Sequence, residues 1–274
     1  MSNYLQRLRE ICSAREILLA APVFCLLMGL FIAALIHRQD RLSSQPVALD
    51  PIAVFPDFAS IQDVNVKKQM FFDFLEAYVD EQNSQVRETR EQLLALSAVA
   101  ADGTALSSNE RAELNSIAQR YFLDYQEMRE SEVVIELLKR VDTIPAPLAL
   151  AQAANESAWG TSRFALEGNN IFGQWCFDAG CGIIPNQRSA NASHEVRAFE
   201  SIDAAVGAYF INLNTHSRYE NFRNMRFQMR NQRGELDALV LADGLDGYSE
   251  RGESYVDEVQ TIIKQNDLID KYSG

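Results

Sequence analysis

The sequence has little of what several large classes of protein require. Lysine and arginine number 25 against 38 aspartate and glutamate residues, which gives a net charge of -13 and a pI near 4.7. A chain of this charge repels phosphate backbones, so we expect no nucleic-acid partner. Four cysteines and three histidines leave few ligands for metal ions, and we therefore expect no metal.

Nucleotide-binding motifs are also absent. The chain contains neither a P-loop nor a glycine-rich dinucleotide motif, so we expect no cofactor. Its histidines, His37, His194 and His216, are scattered and do not indicate a Ser-His-Asp triad. The chain has enough hydrophobic residues to form a core, because 47% of the residues are hydrophobic and 15 are phenylalanine. The length of 274 residues suits one medium domain with accessory segments, or two small domains.

Residues 17–36 form a run of twenty uncharged residues, ILLAAPVFCLLMGLFIAALI. As a helix this run spans roughly 30 Å, the hydrocarbon thickness of a bilayer. A buried core helix is rarely apolar on every face, and the small-residue cleavage site of a signal peptide is missing after Ile36. We therefore predict an uncleaved, single-pass anchor in the cytoplasmic (inner) membrane.

The charges on either side of the predicted anchor suggest its orientation. Three arginines precede it and two follow closely, which favours a cytoplasmic tail over residues 1–16. The remainder of the chain would then lie on the periplasmic or outer side. Cys12 and Cys25 do not lie in a convincing lipoprotein signal.

Patterning divides the rest of the chain into three predicted segments. Residues 37–66 contain several prolines and read as an extended linker. Residues 67–142 read as a helical stem with three helices, the second of them capped by Ser107 or Ser108. A new unit starts near Thr143 and comprises residues 143–274.

Within this last segment the helical signal is uneven. Pro145 and Pro147 open a helix that ends near Gly160. Residues 161–200 are rich in glycine, asparagine and aromatics and indicate loops with a small hairpin. A further helix is predicted from about Ile202, and one more helix from about Ser254 to Ile269.

Glu156 is the residue that most strongly suggests chemistry. Its helical neighbours three, four and seven residues earlier are Ala153, Gln152 and Ala149, a small and mostly apolar face that should pack closely. A carboxyl group there is partly desolvated, which raises its pKa and favours the neutral acid near pH 7. That property suits a general acid for glycosidic-bond cleavage. The alternative is a solvated glutamate near a helix end.

The surrounding residues carry a family resemblance. The stretch ALAQAANESAWGTSRFALEGNNIFG resembles the signature of the bacterial glucosaminidases of glycoside hydrolase family 73. That family shares Ala-Gln-x-x-x-Glu-Ser-x-Trp-Gly and a later Asn-Asn-Leu/Ile-Phe-Gly, and here Asn170 follows Glu156 by fourteen residues. A longer match, from about Lys67 to the tail and including GQWCF and Cys181, is similar to the Bax-type group of that superfamily.

The resemblance implies both a fold and an activity. The fold would be mainly α (α+β), a lysozyme-like helical domain with a small β-lobe. The activity would be that of an endo-β-N-acetylglucosaminidase, which hydrolyses the β-1,4 bond after N-acetylglucosamine in peptidoglycan glycan strands. Two alternatives stay open: a lytic transglycosylase on the same fold, and a non-catalytic scaffold that binds the cell wall. The oligomeric state is not predicted.

The resemblance also implies roles for individual residues. Glu156 matches the catalytic acid of the family. The matching positions that shape the glycan cleft are Trp159, Asn170, Phe172 and Gly173. Tyr219 fits a later family position, where its hydroxyl could orient water or stabilise the transition state; the alternative is a core tyrosine.

Further aromatic residues follow from the same comparison. Tyr248 and Tyr255 resemble the closing tyrosine-rich segment of the family and are predicted to stabilise the fold, with Tyr248 at the rim of the cleft. Trp175 is either a platform on which a sugar stacks or a core residue.

A second catalytic carboxylate is expected in the β-lobe. Glycosidases commonly place it about 5–10 Å from the acid. Glu195 is the candidate, with Glu200 and Asp178 as alternatives, and a solvated charge on a hairpin is the competing interpretation of Glu195. Assistance by the acetamido group of the substrate would require no second carboxylate.

Cys176 and Cys181 are separated by four residues. Outside the cytoplasm such a pair can close a small loop as a disulfide, which would fix the loop after Trp175. The alternative is a metal pair, for which His194 is the only further ligand within reach by sequence. We predict the disulfide.

Overall fold

The computed structural model describes residues 55–101, 105–186, 188, 193–232 and 234–272. The predicted cytoplasmic tail, the predicted membrane anchor at residues 17–36 and the first part of the predicted linker therefore lie outside the described residues. All described residues belong to one compact unit. Within these ranges, no helix combines the length and the apolar character that crossing a membrane requires.

Helices dominate the described part of the chain. They are α1 (Val64–Ala101), α2 (Ser108–Arg120), α3 (Glu130–Arg140), α4 (Ala146–Ser157), α5 (Arg163–Gly168), α6 (Ile202–Thr215), α7 (Glu220–Gln232), α8 (Ala238–Ala242), α9 (Glu253–Gln265) and α10 (Leu268–Tyr272). Short 3-10 turns occupy Phe58–Ser60, Ser217–Tyr219 and Asp243–Leu245. The predicted mainly helical fold is confirmed.

A small antiparallel sheet forms the β-lobe. Its strands are β1 (Trp175–Cys176), β2 (Gly182–Ile183) and β3 (Glu195–Arg197). They pair in the order β1-β3-β2, with Trp175 opposite Val196 and Gly182 opposite Arg197. The long β2–β3 connection and the central position of β3 mean that this lobe is not a simple hairpin.

Local sequence signals account for several helix ends. The hydroxyl of Ser107 accepts a hydrogen bond from the Glu110 backbone N–H at 3.3 Å, and the Glu110 carboxylate accepts one from the Ser107 N–H at 2.7 Å. This reciprocal capping box identifies Ser107, one of the two predicted caps, as the start of α2. Helix α4 begins directly after Pro145 and stops where Ala158 adopts the left-handed conformation, with φ of 51°.

The predicted stem folds into the same core as the rest of the unit. Phe71, Leu75 and Leu93 of α1 have no solvent exposure, and α1 packs against α3, α4 and α6. At about 1.5 Å per residue, the 38 residues of α1 extend over roughly 57 Å. The long helix is therefore part of the core of the described unit.

The predicted linker ends earlier than residue 66. Helix α1 begins at Val64, and Phe58 is completely buried. A methyl group added to Gly160 would stand 2.6 Å from the Phe58 ring, so the absence of a side chain at Gly160 makes room for this ring. The residues before α1 are thereby joined to the turn that follows α4.

Three of the helices in the described part of the chain were not predicted. Helix α5 lies in the region expected to form loops, and α7 and α8 lie between the last two predicted helices. Hydrophobic periodicity does not predict helix α7, because its buried face consists of Phe222, Arg223 and Arg226. Charged residues therefore occupy core positions. The predicted final helix is split into α9 and α10 near Asp267, which has φ of 53°.

A buried ionic cluster explains the inward-facing Arg226, whereas Arg223 donates to the backbone carbonyls of Leu213 at 3.1 Å and His216 at 2.8 Å. The carboxylate of Asp142 lies 3.0 Å from Arg230 Nη2, 3.5 Å from Arg90 Nη1 and 4.0 Å from Arg226 Nε. Burial lowers the pKa of Arg226 to about 10, against the opposing effect of Asp142, so the guanidinium stays charged at neutral pH. One carboxylate thus joins α1, the connection between α3 and α4, and α7.

Candidate active site

Glu156 lies in the last turn of α4, one residue before the helix ends. Its side chain is partly buried, whereas the helix behind it is almost completely buried. Carbonyl groups at a helix C-terminus carry partial negative charge and disfavour a nearby carboxylate. The position alone therefore favours the neutral acid.

The electrostatic surroundings of Glu156 favour the same form. Burial raises the pKa of the Glu156 carboxyl above its ordinary value, and the negative charge of Glu258 acts in the same direction. A hydrogen bond with Tyr255 and the positive charge of Arg251 oppose this effect without cancelling it. The raised pKa agrees with the prediction made from the small apolar face of α4.

Gly173 brings the second motif against the carboxyl of the first. A methyl group added at this position would stand 2.9 Å from Oε2 of Glu156. The backbone at Gly173 also has φ of 63°, a conformation that other residues adopt with strain. There are thus two reasons for glycine at position 173. The backbone turns with a positive φ, and the Glu156 carboxyl lies where a side chain would stand.

Replacing Gly173 with alanine tests this contact. We expect Gly173→Ala to displace the Glu156 carboxyl and to lower kcat/KM on peptidoglycan roughly 10- to 100-fold, because small misplacements of a reacting group have effects of this order. Gly234→Ala is the matched control, since Gly234 has φ of 76° but nothing within 4 Å of the added methyl group. Equal losses in the two variants would show that backbone strain alone is responsible.

Four tyrosines from separate parts of the chain surround Glu156. They are Tyr209 of α6, Tyr219, Tyr248 and Tyr255 of α9. Burial raises the pKa of each phenol, and the charge of Glu156 adds to the effect, so all four are neutral at physiological pH. The Tyr248 ring stacks on Tyr255 with centroids 5.4 Å apart and lies 5.8 Å from the Tyr219 ring.

A chain of hydrogen bonds leads from the core to the carboxyl of Glu156. The Tyr209 hydroxyl donates to Gln152 Oε1 at 2.6 Å, and Gln152 Nε2 donates to the Tyr255 hydroxyl oxygen at 2.9 Å. The Tyr255 hydroxyl in turn acts on Glu156 as a hydrogen-bond donor that lowers the pKa of the carboxyl. Sequence reasoning missed Gln152 and Tyr209 as site residues and assigned Tyr255 only to the fold. The available signal was the four-residue spacing of Gln152 and Glu156, which places both on one helix face.

Asn170 and Phe172 of the second motif are both buried, and their role in shaping a glycan cleft stays a prediction. The Asn170 amide donates to the carbonyls of Gln174 at 2.8 Å and Arg197 at 2.7 Å, and its oxygen accepts from the Gln174 N–H at 3.0 Å. The Phe172 ring stacks on Tyr209 at 3.8 Å, and its carbonyl accepts the Tyr248 hydroxyl at 2.8 Å. These contacts connect the Asn-Asn-Ile-Phe-Gly motif to β3 and to the tyrosines.

The two tryptophans have different environments. The Trp159 ring lies against Phe71 and Phe72, with the Lys68 ammonium 4.7 Å from its centroid. These contacts assign the ring to the packing of α1. Trp175 is 53% exposed and stacks on His194 at 4.0 Å. Its exposure fits a platform for a sugar ring, and that role stays a prediction.

The β-lobe contains the predicted disulfide and Glu195. Cys176 and Cys181 are bonded to each other. Glu195 is buried, and its carboxylate accepts hydrogen bonds from the backbone N–H groups of Gly180 at 3.1 Å and Gly182 at 2.8 Å. These bonds lower the pKa of Glu195 and keep it ionised. The interpretation of Glu195 as a solvated hairpin charge is therefore wrong, and its catalytic role stays a prediction.

Glu195→Gln tests whether this residue holds the loop. An amide offers one acceptor oxygen where the carboxylate offers two, so we expect the exchange of the Gly180 and Gly182 amide hydrogens to accelerate about tenfold or more at neutral pH. Since the pKa of Glu195 is lowered on folding, the same bonds are present at neutral pH and weaken as the pH falls through that pKa.

Hydrogen-exchange mass spectrometry would measure the effect, with Glu200→Gln of the same lobe as the control. Unchanged exchange together with a loss of activity as large as that of Glu156→Gln would instead assign Glu195 to the chemistry.

Comparison with known proteins identifies the segment that carries this site. Residues 131–268 match the glucosaminidase family, described as mannosyl-glycoprotein endo-beta-N-acetylglucosaminidase. The matched segment runs from α3 to the start of α10 and contains Glu156, Gly173 and the four tyrosines. No solved structure matches the chain.

A curated relative extends the similarity beyond that segment. The chain is 32% identical over 211 residues to the protein named "Protein bax" of Escherichia coli (strain K12). The alignment covers 77% of this chain and 74% of the relative. The chain belongs to the glucosaminidase family and is a Bax-type member of that superfamily.

Proposed function

We propose that the protein is a peptidoglycan hydrolase, an endo-β-N-acetylglucosaminidase that cleaves the β-1,4 bond after N-acetylglucosamine. The observation that carries the proposal is the Glu156 carboxyl, whose pKa is raised by burial, within the segment that matches the glucosaminidase family. A raised pKa increases the fraction of the carboxyl that is protonated, and only the protonated form can give a proton to a leaving glycosidic oxygen.

In the proposed mechanism Glu156 gives its proton to the glycosidic oxygen as the bond to the anomeric carbon breaks. The carboxylate that results is stabilised by the Tyr255 hydroxyl and by the positive charge of Arg251. Both groups lower the pKa of Glu156, so they favour the state that exists after proton transfer. The burial that prepares the acid and the contacts that stabilise its conjugate base thus act at different stages.

The positive charge at the anomeric carbon requires a second group. Both Glu195 oxygens are bound to backbone N–H groups, whereas Tyr219 lies close enough to Glu156 for the charge of Glu156 to raise the pKa of the Tyr219 phenol. We therefore favour attack by the acetamido oxygen of the substrate, which forms a cyclic intermediate that water opens. Tyr219 would orient that water.

We further propose that residues 17–36 anchor the protein in the cytoplasmic membrane with the described unit on the outer side. The disulfide of the β-lobe supports this location, because disulfides persist in oxidising compartments. Tethering would also raise the local concentration of the enzyme near the wall. A reporter fused at Gly274 that is active only outside the cytoplasm would support the orientation, and a cytoplasmic signal would contradict it.

Digestion of purified sacculi by the full chain tests the proposed reaction, with mass spectrometry of the released fragments. We expect fragments with N-acetylglucosamine at the reducing end. Fragments ending in 1,6-anhydro-N-acetylmuramic acid would identify a lytic transglycosylase instead. Binding to sacculi without any cleavage would identify a non-catalytic scaffold.

A further inference from the structure

We propose that Gln152 is a positioning residue, whose amide is held by Tyr209 and turns the Tyr255 hydroxyl toward the Glu156 carboxyl. The effect of Gln152 on catalysis rests on the function proposed above. Its effect on the Glu156 carboxyl is a property of the folded protein and can be measured without that function. The three residues and Glu156 form the hydrogen-bond chain already described, and Gln152, Tyr209 and Tyr255 have no solvent exposure. We call this chain the amide relay.

The relay has a direction because an amide has one acceptor end and one donor end. Tyr209 donates to Oε1 of Gln152, so the NH2 group faces the Tyr255 oxygen. A phenol carries a single hydrogen, and one side of the Tyr255 oxygen is occupied by the incoming amide N–H. The Tyr255 hydrogen is therefore left for Glu156.

This direction determines where the proton of Glu156 resides. The carboxyl oxygen that accepts the Tyr255 hydrogen is disfavoured as the site of protonation, so the proton occupies the other oxygen. The oxygen Oε2 faces Gly173 and the motif loop. Without the amide, the Tyr255 hydroxyl can rotate, and a protonated Glu156 can donate a hydrogen bond to the Tyr255 oxygen. The acid would then be held in its neutral form and directed away from a substrate.

Other ionisable groups also face Glu156. The charges of Arg251 and Glu258, near the start of α9, shift the pKa of Glu156, and so does a hydrogen bond from Tyr255 of α9. The charge of Glu156 in turn raises the pKa of four phenols, which are Tyr209 of α6, Tyr219, Tyr248 and Tyr255. The four phenols are neutral over the working pH range. Arg251 and Glu258 are paired with each other at 2.6 Å, and none of the substitutions that test the relay changes either of them.

Gln152→Met removes the amide and keeps a side chain of similar length. We expect the pKa of Glu156 to rise by about one pH unit, the size of change that a charge-assisted hydrogen bond produces. The readout is carbon-13 NMR of the labelled glutamate carboxyl groups in the full chain, with the Glu156 signal assigned by its absence in Glu156→Gln. The descending, alkaline limb of the pH profile of kcat/KM should move with it, and kcat/KM at neutral pH should fall about tenfold.

Asn83→Leu is the matched control for losing a buried amide. Asn83 is also buried and forms two hydrogen bonds, both with the backbone of Ile144, at 2.8 and 2.9 Å. It should destabilise the protein and leave the pKa of Glu156 unchanged. An equal change in both variants would overturn the proposal.

A double-mutant cycle tests the route through Tyr255. In Tyr255→Phe the hydroxyl is missing, so adding Gln152→Met should cause no further change in the pKa of Glu156. The same change with and without the hydroxyl would overturn the proposal. If Gln152→Met does not fold, Tyr209→Phe removes a single oxygen and should raise the pKa in the same direction by less; no change there would also overturn the relay.

The NMR readout separates this proposal from the proposed function. A relay that behaves as expected in a protein that never cleaves peptidoglycan would support the relay and contradict the proposed function. Cleavage that persists with an unchanged pKa in folded Gln152→Met would do the reverse.

Discussion

Glu156→Gln is expected to reduce cleavage of purified peptidoglycan by about 10²- to 10⁴-fold in kcat/KM, the range that general acid catalysis contributes. Glutamine keeps the shape of the side chain and can still accept a hydrogen bond from Tyr255, but it has no proton to give to the leaving oxygen. Binding to sacculi should be preserved, because the substitution removes only the acid function. A quantitative assay of released reducing ends would measure the loss.

Glu113→Gln is the control, since Glu113 is an exposed residue of α2 and its replacement makes the same change in charge. Near-ultraviolet circular dichroism would establish that both variants are folded. Residual activity of Glu156→Gln within a few fold of the unchanged protein would contradict the role of Glu156. Equal losses in the two variants would point to a general effect of charge instead.

Asp142→Asn is expected to lower the free energy of unfolding by about 3–5 kcal/mol, the range measured when one partner of a buried ion pair is removed. Asp142 is 1% exposed and is the carboxylate shared by Arg90, Arg226 and Arg230. Its loss leaves buried guanidinium groups without a counter-charge, and Arg226 has no exposed surface. Urea denaturation followed by circular dichroism would measure the change.

Glu258→Gln provides a matched control for Asp142→Asn. It breaks an ion pair with Arg251 in which both side chains are almost half exposed. Exposed pairs contribute about 0–1 kcal/mol, so this variant should be nearly as stable as the unchanged protein. A similar decrease in the free energy of unfolding in both variants would mean that the buried Asp142 cluster stabilises the protein no more than an exposed ion pair does.

Signals that act over a few residues predicted their structures well. The cap at Ser107, the proline start of α4 and the Cys176–Cys181 disulfide each depend on neighbours in sequence. The raised pKa of Glu156 was also predictable, because the small residues on its helix face determine how closely other elements approach.

Features that depend on distant partners could not be predicted in the same way. Gln152 meets Tyr209 and Tyr255 across 57 and 103 residues of sequence. Helix α7 carries Arg226 on its buried face, and an arginine predicts a solvated face until Asp142 is known to lie opposite. In both cases a polar residue can be buried because a polar partner, distant in sequence, is buried beside it. Hydrophobic periodicity contains no information about such a pairing.

The place of α1 in the core has a consequence for modularity. The segment that matches the family begins at residue 131, whereas the buried residues Phe71 and Leu75 and the Arg90 partner of Asp142 all precede it. Moved alone into another protein, that segment would carry the acid but leave an open apolar groove where α1 had been. The unit that recombination or gene fusion can transfer intact is thus longer than the segment that matches the glucosaminidase family, and it includes the long helix.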